Sequence, residues 1–279
     1  MEYKTTLKRE VSFTGVGVHG GKTVHMVLRP SEEGRILFVR KDLEDACFTP
    51  DPRRVESPNC TVIKADGIRI QTVEHLFAVL YVYGIDSLTI ELDGDEIPIL
   101  DGSAGPIAQA VASAGIRTLP GRKKILTILE SFAVSDDRGE VFIAPSQNFS
   151  VRYRISYEHP AIGEQDLECT VTPETFVRDI APARTFGFLK DIESLRSRGL
   201  ARGGSLENAL VLDESKVING PLRFKDEFVR HKILDLIGDL ALLGYPVRGR
   251  FDVHSGGHAL HQKAVRHILD HPSFFRIDG

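Results

Sequence analysis

The chain has 279 residues, of which 42% are hydrophobic and 27% are charged, and its formal net charge is −4. This composition is typical of a globular protein with a substantial core, built as one large domain or as two of ordinary size. The small negative net charge gives no reason to expect a nucleic-acid partner.

The apolar runs argue against a membrane-spanning segment, and the cysteines argue against a disulfide framework. No apolar run approaches the roughly 18–20 residues that span a bilayer, and the N-terminus lacks the pattern of a secretory signal, so we expect no transmembrane segment. The cysteines, Cys47, Cys60 and Cys169, are too few and too scattered for a disulfide framework or a Cys-x-x-Cys zinc site. We interpret them as reduced thiols in a cytoplasmic protein, in which any metal is held by histidines and carboxylates.

Residues 5–40 alternate between apolar and polar side chains in the manner of β-strands. Within them, residues 15–21 form a glycine-rich turn that holds one histidine, His19. Glycines at such a turn permit positive φ or the close approach of a ligand to the backbone. An ordinary hairpin would show the same spacing, so His19 is a candidate site residue with that alternative open.

The most apolar helix is predicted over residues 71–84, with Thr72 as its N-cap and Gly84 as its stop. It is apolar nearly all round, which is typical of a buried helix. Glu74 and His75 nevertheless lie in its first turn, and charged groups seldom enter a buried helix without partners. One interpretation is a carboxylate beside a metal ligand. The other is a core histidine with its own hydrogen bond and a glutamate that serves the helix dipole.

A strand at residues 88–92 and a helix that ends near residue 114 complete the first half. Residues 115–122 contain a proline and a glycine and are the best candidate for a linker. We therefore predict an N-terminal α+β domain at residues 1–120 and a C-terminal α+β domain at residues 121–279.

The second half repeats the same kinds of element. Strands are predicted between residues 124 and 171, with strict alternation at residues 149–157, and a helix at about 189–198. An amphipathic helix at residues 224–244 precedes a strand, a glycine-rich loop that carries His258, and a final helix. Each half thus has a helix with an early histidine, a strand, a glycine-rich loop and another helix. We predict an α+β fold of two domains of similar layered sheet-and-helix fold packed together.

The helix at residues 224–244 carries a narrow polar stripe. At 100° per residue, His231, Asp235 and Asp239 point to relative angles of about 0°, 40° and 80°, and apolar residues cover the opposite half. An imidazole and a carboxylate one turn apart can coordinate one metal ion. Asp239 is placed to orient a neighbouring histidine. The same residues can equally form the solvated face of an amphipathic helix.

A further ligand is available in the first half. His75 together with His231 and Asp235 would give a site with two histidines, one carboxylate and an open fourth position for water. Catalytic zinc sites of this kind activate the water near neutral pH. Glu74 would stand beside that water as general base, and His258 on its loop could pass a proton to a leaving group.

Seven short motifs occur in an order that is characteristic of one enzyme family. They are Gly-Val-Gly-Val-His at 15–19, Thr-Val-Glu-His at 72–75, Glu-Ile-Pro-Ile-Leu-Asp-Gly-Ser at 96–103, Ala-Arg-Thr-Phe at 183–186, Gly-Gly-Ser-Leu at 203–206, Phe-Val-Arg-His-Lys-Ile-Leu-Asp-Leu-Ile-Gly-Asp at 228–239 and Gly-His-Ala-Leu at 257–260. Together they closely resemble the UDP-3-O-acyl-N-acetylglucosamine deacetylases, the zinc hydrolases of lipid A biosynthesis in Gram-negative bacteria. The resemblance runs from about residue 5 to residue 269.

The resemblance implies a zinc-dependent hydrolase that removes the acetyl group from the 2-amine of UDP-3-O-acyl-N-acetylglucosamine. The products would be acetate and UDP-3-O-acyl-glucosamine, in the committed step of lipid A biosynthesis. One catalytic Zn²⁺ per chain is implied, with Fe²⁺ also suited to such ligands. The family fold has two domains with the active site between them. The implied metal ligands are His75, His231 and Asp235.

Catalytic and substrate-binding roles are implied position by position. Glu74 matches the general base, His258 the group that protonates the amine or stabilises the oxyanion, and Asp239 the support of that histidine. Thr185 matches a threonine that hydrogen-bonds the oxyanion. An insertion at about residues 187–212 would form a hydrophobic passage for the acyl chain. The predicted substrate contacts are Phe186, Lys232 and His19.

One position departs from the family pattern. The family usually has asparagine where this chain has His261, which puts a substrate contact in doubt. His261 could replace that contact or compete for the metal. Two other functions stay open: another zinc-dependent amidohydrolase with a different acylated substrate, and a non-catalytic protein that binds a nucleotide sugar or a lipid. We expect a monomer.

Overall fold

The computed structural model describes residues 3–57 and 59–279. The elements of the first half are β1 (Tyr3–Leu7), β2 (Val11–Val16), β3 (Thr23–Pro30), β4 (Ile36–Arg40), β5 (Ala46–Phe48), β6 (Val55–Glu56), β7 (Val62–Ala65), β8 (Ile68–Gln71), α1 (Glu74–Tyr83), β9 (Leu88–Leu92), α2 (Gly105–Ala114) and β10 (Ile116–Arg122). Those of the second half are β11 (Ile125–Ile128), β12 (Phe132–Ser135), β13 (Glu140–Ala144), β14 (Phe149–Ser156), β15 (Glu164–Thr170), α3 (Pro173–Thr175), β16 (Phe186–Phe188), α4 (Leu189–Ser197), β17 (Leu210–Leu212), α5 (Glu227–Ala241), β18 (Val247–His254), α6 (His258–Asp270) and β19 (Phe275–Asp278).

The central sheet of the first half has five strands in the order β2-β3-β9-β4-β5. Strand β9 lies in the middle, antiparallel to β3 and parallel to β4. The predicted alternation is confirmed in β3, where Val24, Met26 and Leu28 are buried and the residues between them are more exposed. One face of this sheet therefore belongs to the hydrophobic core.

The second sheet is organised around β18. This strand is antiparallel to β13 and parallel to β14, with β12 and β15 outside them. Strand β11 pairs with the start of β18 and carries β19 along its other edge. Strand β14 shows the strict alternation that the sequence predicts, and its Tyr153 is completely buried.

The two sheets have the same topology. In each half, two hairpins are followed by a helix, a strand that enters the middle of the sheet, and another helix. This confirms the predicted α+β fold of two similar layered units. The halves differ in what precedes the central helix: the small sheet β6-β7-β8 in the first half, and the segment from α3 to β17 in the second.

Residues 115–122 are part of the fold. Strand β10 pairs with β1, and Lys8 donates a backbone hydrogen bond to the Gly115 carbonyl at 2.8 Å. Gly115 has φ of 74°, so its missing Cβ permits the turn before the strand. The prediction of a linker was therefore wrong for this segment, because its glycines and proline occupy a turn and an edge strand. The domain division at residue 120 stays a prediction.

Helices α1 and α5, one from each half, pack against each other. Gly238 of α5 permits the close approach, since a Cβ there would lie 2.0 Å from the backbone oxygen of Glu74. The predicted N-cap Thr72 does not cap α1; its hydroxyl donates to Glu96 at 3.0 Å instead. The crossing brings Glu74 and His75, the first two residues of α1, against the middle of α5.

Candidate metal centre

Three buried side chains from the two halves converge where α1 crosses α5. His75 comes from the start of α1, while His231 and Asp235 lie one turn apart on α5. Asp235 Oδ1 is 3.3 Å from His231 Nε2 and 3.9 Å from His75 Nε2, and the ligand atoms all lie within 4.8 Å of one another. We call these three residues the ligand cluster. The structure thus brings the three predicted metal ligands together.

The ligand cluster has the protonation state that a divalent metal requires. Burial, with His231 nearby, lowers the pKa of His75 to about 3, and burial also lowers the pKa of His231. Burial raises the pKa of Asp235, but His231, Lys232 and His258 outweigh it and hold that pKa below its usual range. Two neutral imidazoles and one carboxylate are suitable donors for a divalent metal. The residues therefore fit a metal ion.

Hydrogen bonds orient two of these ligands. His231 Nδ1 donates to the Ala183 carbonyl at 3.1 Å, so Nδ1 carries the proton and Nε2 keeps its lone pair. Lys232 Nζ donates to Asp235 Oδ2 at 3.0 Å, which leaves Oδ1 toward the two imidazoles. Outer contacts of this kind fix the tautomer and direction of metal ligands.

Glu74 is buried beside the ligand cluster. Its Oε2 accepts a hydrogen bond from the Thr61 backbone at 3.1 Å, and its Oε1 lies 3.6 Å from His258 Nε2. Burial raises the pKa of Glu74 to about 7; Asp235 and Asp239 add to the rise, against His258. A carboxylate that titrates near neutrality suits a general base.

A second group of side chains, buried except for the partly exposed His258, lies one turn further along α5. Asp239 Oδ2 is 2.8 Å from His258 Nδ1 and 2.8 Å from His261 Nδ1. Asp239 Oδ1 accepts hydrogen bonds from the Thr61 hydroxyl and, at 3.3 Å, from Gln262 Nε2. We call Asp239, His258 and His261 the Asp239 cluster. Donors on both oxygens hold this carboxylate in one orientation.

His258 is protonated at neutral pH. Burial alone would lower its pKa, but Asp239, Asp235 and Glu74 raise that pKa to about 10. Its Nε2 lies 3.6 Å from Glu74 Oε1 and 3.9 Å from Asp235 Oδ2, so this N–H faces the ligand cluster. His258 is the first residue of α6 and not part of the predicted loop, because the extended Gly257 already caps the helix.

A cavity of about 810 Å³ opens in front of the ligand cluster. Its lining includes all of the predicted site residues except Asp239, which lies behind His258. Lys232 Nζ is 5.7 Å from the centre of the Phe186 ring, and the backbone of Ala201 donates to His19 Nδ1 at 3.4 Å. The predicted residues that line this cavity are His19, Glu74, His75, Thr185, Phe186, His231, Lys232, Asp235 and His258.

Many residues of the segment 187–212 line the cavity. Helix α4 contributes Leu189, Ile192 and Leu195, whose spacing places them on one side of the helix. Leu206, with 57% of its surface exposed, also lines the cavity. These apolar side chains suit a hydrocarbon chain, while the polar Asp191, Ser194, Arg196 and Arg198 of the same segment also line the cavity.

The sequence did not single out two residues that organise these clusters. Thr61 connects them, because its backbone donates to Glu74 and its hydroxyl to Asp239. It precedes β7 in a short polar segment, so only its position before a strand was visible. Tyr153 hydrogen-bonds His261 through its hydroxyl at 3.0 Å. The alternation of β14 predicted its burial but not its partner.

Glu96 is a third residue whose role the sequence did not show, and it organises the glycine-rich turn that holds His19. It is buried, and its carboxylate accepts backbone hydrogen bonds from His19 at 2.8 Å and Gly20 at 2.7 Å. A Cβ at Gly17 would lie 2.3 Å from Glu96 Oε2, so this turn needs glycine to wrap the carboxylate. A glutamate inside the motif at residues 96–103 was the available signal.

Comparison with known proteins identifies the family to which this chain belongs. The model of UDP-3-O-acyl N-acetylglycosamine deacetylase matches residues 4–270. The chain belongs to this deacetylase family. It is therefore an enzyme, and the resemblance seen in the motifs is confirmed.

Relatives named UDP-3-O-acyl-N-acetylglucosamine deacetylase agree with this family over nearly their whole length. The one from Thermodesulfovibrio yellowstonii is 45% identical across 97% of this chain and 93% of its own. The one from Myxococcus xanthus is 45% identical across 98% of this chain and 88% of its own. The one from Nitratiruptor sp. is 44% identical across 98% of this chain and 92% of its own. Among the described residues of this deacetylase family member, no helix is long and apolar enough to cross a membrane.

Proposed function

We propose that this enzyme hydrolyses the acetamide of UDP-3-O-acyl-N-acetylglucosamine to give acetate and UDP-3-O-acyl-glucosamine, the committed step of lipid A biosynthesis. The observation that supports this most is the ligand cluster, with Glu74 and His258 beside it, at one end of a cavity lined in part by apolar side chains. Membership of the deacetylase family and the names of its relatives support the substrate.

We assign the metal as one Zn²⁺ per chain, held by His75, His231 and Asp235. Fe²⁺ suits the same donors. When bound, such an ion makes water a better nucleophile near neutral pH and stabilises negative charge that develops on the carbonyl oxygen. The buried neutral imidazoles and the oriented Asp235 oxygen support this assignment.

Two residues of the chain carry out the proton transfers, and two others assist them. Glu74, with a pKa of about 7, takes a proton from the attacking water as general base. His258, protonated at neutral pH, passes a proton to the departing nitrogen, because an amide anion is too basic to leave. Asp239 orients His258 through Nδ1. Thr185 lies in the cavity wall, where its hydroxyl can donate to the oxyanion.

Substrate binding uses the rest of the cavity. Phe186, Lys232 and His19 contact the sugar nucleotide, and residues 187–212 form the passage for the acyl chain. Each CH₂ buried there contributes roughly 0.8 kcal/mol. We further propose a cytoplasmic monomer, divided into domains at residues 1–120 and 121–279.

Acetate release tests this function. The purified protein, supplied with Zn²⁺, should release acetate from UDP-3-O-acyl-N-acetylglucosamine and little or none from N-acetylglucosamine or UDP-N-acetylglucosamine. Equal turnover of simple N-acetyl sugars would support a different amidohydrolase. Tight binding of the acylated nucleotide sugar without acetate release would support a non-catalytic binding protein.

A further inference from the structure

His261 belongs to the Asp239 cluster, and the proposed reaction assigns it no step. It is fully buried, with 0% of its surface exposed, and it lines neither the cavity nor the smaller pocket on the other side of His258. A ligand in that cavity therefore does not reach the imidazole. Its burial removes the basis for the idea that His261 replaces the substrate contact of the family's asparagine.

Both ring nitrogens of His261 already have partners. Nδ1 lies 2.8 Å from Asp239 Oδ2, and Nε2 lies 3.0 Å from the Tyr153 hydroxyl. A carboxylate only accepts, so Nδ1 carries the proton and Nε2 accepts from the phenol. Burial raises the pKa of Tyr153 well above its usual value, which keeps that phenol a donor. The Nε2 lone pair is thus occupied, which argues against competition for the metal.

Asp239 is held by elements of both halves, with Thr61 of the first half donating to its Oδ1. Asp239 lies on α5, both of its imidazole partners come from the first turn of α6, and Tyr153 comes from β14. His258 and His261 donate to the same oxygen, Oδ2. Without His261, Oδ2 would keep only His258 as a donor, and the direction of that oxygen would depend on the Thr61 and Gln262 bonds to Oδ1.

We infer that His261 is a positioning residue, which fixes Asp239 Oδ2 against His258 Nδ1 and ties that carboxylate to the sheet through Tyr153. The inference rests on the proposed function, because only a reaction that uses His258 depends on the direction of its Nε2–H. The contact order is Tyr153, His261, Asp239 and His258, and only the last of these lines the cavity.

Substitutions of His261 and Tyr153, the two members of this series of contacts that are furthest from His258, test the inference. His261→Leu fills similar space without a donor, and we expect kcat to fall by about 10- to 100-fold, the usual loss for a residue behind a metal site. His261→Asn places an amide nitrogen near the position of Nδ1, so it should restore much of that loss. Tyr153→Phe removes one hydrogen bond and should lower kcat by about 2- to 10-fold. KM and metal content should stay close to wild type in all three.

Proton NMR of protein labelled with ¹⁵N-histidine gives a measurement that does not depend on turnover. The wild type should show two strongly downfield imidazole N–H protons, from the His258 and His261 bonds to Asp239. His261→Leu should lose one and shift the other. His271→Asn, at an exposed position of the same segment, is the matched control and should change neither signal nor kcat.

Three outcomes would overturn the inference: unchanged kcat in His261→Leu, a rise of KM at unchanged kcat, or a loss of bound metal. If His261→Leu does not fold, the Tyr153→Phe measurement decides on the same criteria. A wild type without acetate release would instead refute the proposed function, and the NMR pattern would still test the positions of the two protons.

Discussion

The ligand cluster and the Asp239 cluster are built from the same kinds of side chain, yet His258 carries a charge that the two histidines of the ligand cluster lack. The ligand cluster is buried, the Asp239 cluster is buried except for the partly exposed His258, and each takes its carboxylate from α5, at positions 235 and 239. In the ligand cluster, burial dominates and lowers the pKa of His75 to about 3. In the Asp239 cluster, carboxylates overcome burial and raise the pKa of His258 to about 10.

The number of nearby carboxylates accounts for the difference: Asp239, Asp235 and Glu74 all act on His258, whereas burial prevails at His261, although it meets the same Asp239 oxygen at 2.8 Å. His258 Nδ1 is 2.8 Å from Asp239 Oδ2, whereas His75 Nε2 is 3.9 Å from Asp235 Oδ1. Asp235 also accepts a hydrogen bond from Lys232. Charge-assisted hydrogen bonds are far stronger than contacts at longer range. One helical turn therefore separates neutral nitrogens that suit a metal from a cationic nitrogen that suits an acid.

Removing a residue of the ligand cluster should have the largest effect. In His231→Ala, we expect turnover to fall at least about 1,000-fold, since several kcal/mol of transition-state stabilisation depend on the metal. Bound metal should fall as well, measured by atomic emission after gel filtration. His254→Ala, at an exposed histidine of β18, is the control. Unchanged metal content in His231→Ala would show that the ligand assignment is wrong.

Substitution of Glu74 tests proton transfer without removing a proposed metal ligand. Glu74→Gln keeps the shape of the side chain and removes its charge, so we expect kcat to fall by about 100- to 10,000-fold, the range for a general base. Metal content should stay near one ion per chain, because Glu74 is not a proposed ligand. Glu174→Gln, at a site with 85% side-chain exposure, is the control. Full activity in Glu74→Gln would discard the base assignment.

The pH profile of kcat/KM should show the titration of both Glu74 and His258. Glu74 acts when deprotonated, so kcat/KM should rise with pH through its pKa of about 7. His258 acts when protonated, so the rate should fall with pH through its pKa of about 10. A bound dication shifts both limbs to lower pH, since it favours the deprotonated forms.

His258→Gln sharpens this test. It should lower kcat by roughly 100-fold and remove the descending limb, while the ascending limb remains. His271→Gln should leave the whole profile unchanged. If His258→Gln keeps the descending limb, that limb belongs to another group and His258 is not the acid.

Substitution of Gly238 should disturb the ligand cluster more than the Asp239 cluster. A Cβ there would meet the Glu74 backbone at 2.0 Å, so Gly238→Ala must push α1 away from α5. We expect a loss of about 1–3 kcal/mol in the free energy of unfolding, the usual cost of overpacking a core. Urea denaturation measures it, with Gly187→Ala as control, since a Cβ there meets nothing within 4 Å. Because only the ligand cluster spans α1 and α5, metal affinity should fall while the His258–Asp239 bond persists.

Periodicity predicted the parts of the site that lie within single elements. The stripe of His231, Asp235 and Asp239 follows from 100° per residue, and the buried face of β14 follows from strict alternation. Family motifs then indicated that His75 joins His231 and Asp235. No local rule shows that α1 and α5 cross at Gly238, since that contact depends on the packing of both halves.

Other contacts had no signal in the spacing of residues. Thr61 belongs to no motif, and its bonds to Glu74 and Asp239 depend on where the small sheet β6-β7-β8 is placed. His261 stood out only as a departure from the family pattern, and its partners come from α5 and β14. Long-range side-chain pairing of this kind is set by tertiary structure, which local propensity does not specify.

The central claim is that only the ligand cluster holds a catalytic metal, and a titration tests it most directly. Chelator-treated protein would be titrated with Zn²⁺ while acetate release from UDP-3-O-acyl-N-acetylglucosamine is followed. We expect activity to rise in proportion to added metal and to stop rising at one ion per chain. Full activity of the metal-free protein, or a rise that continues to two ions per chain, would contradict the account.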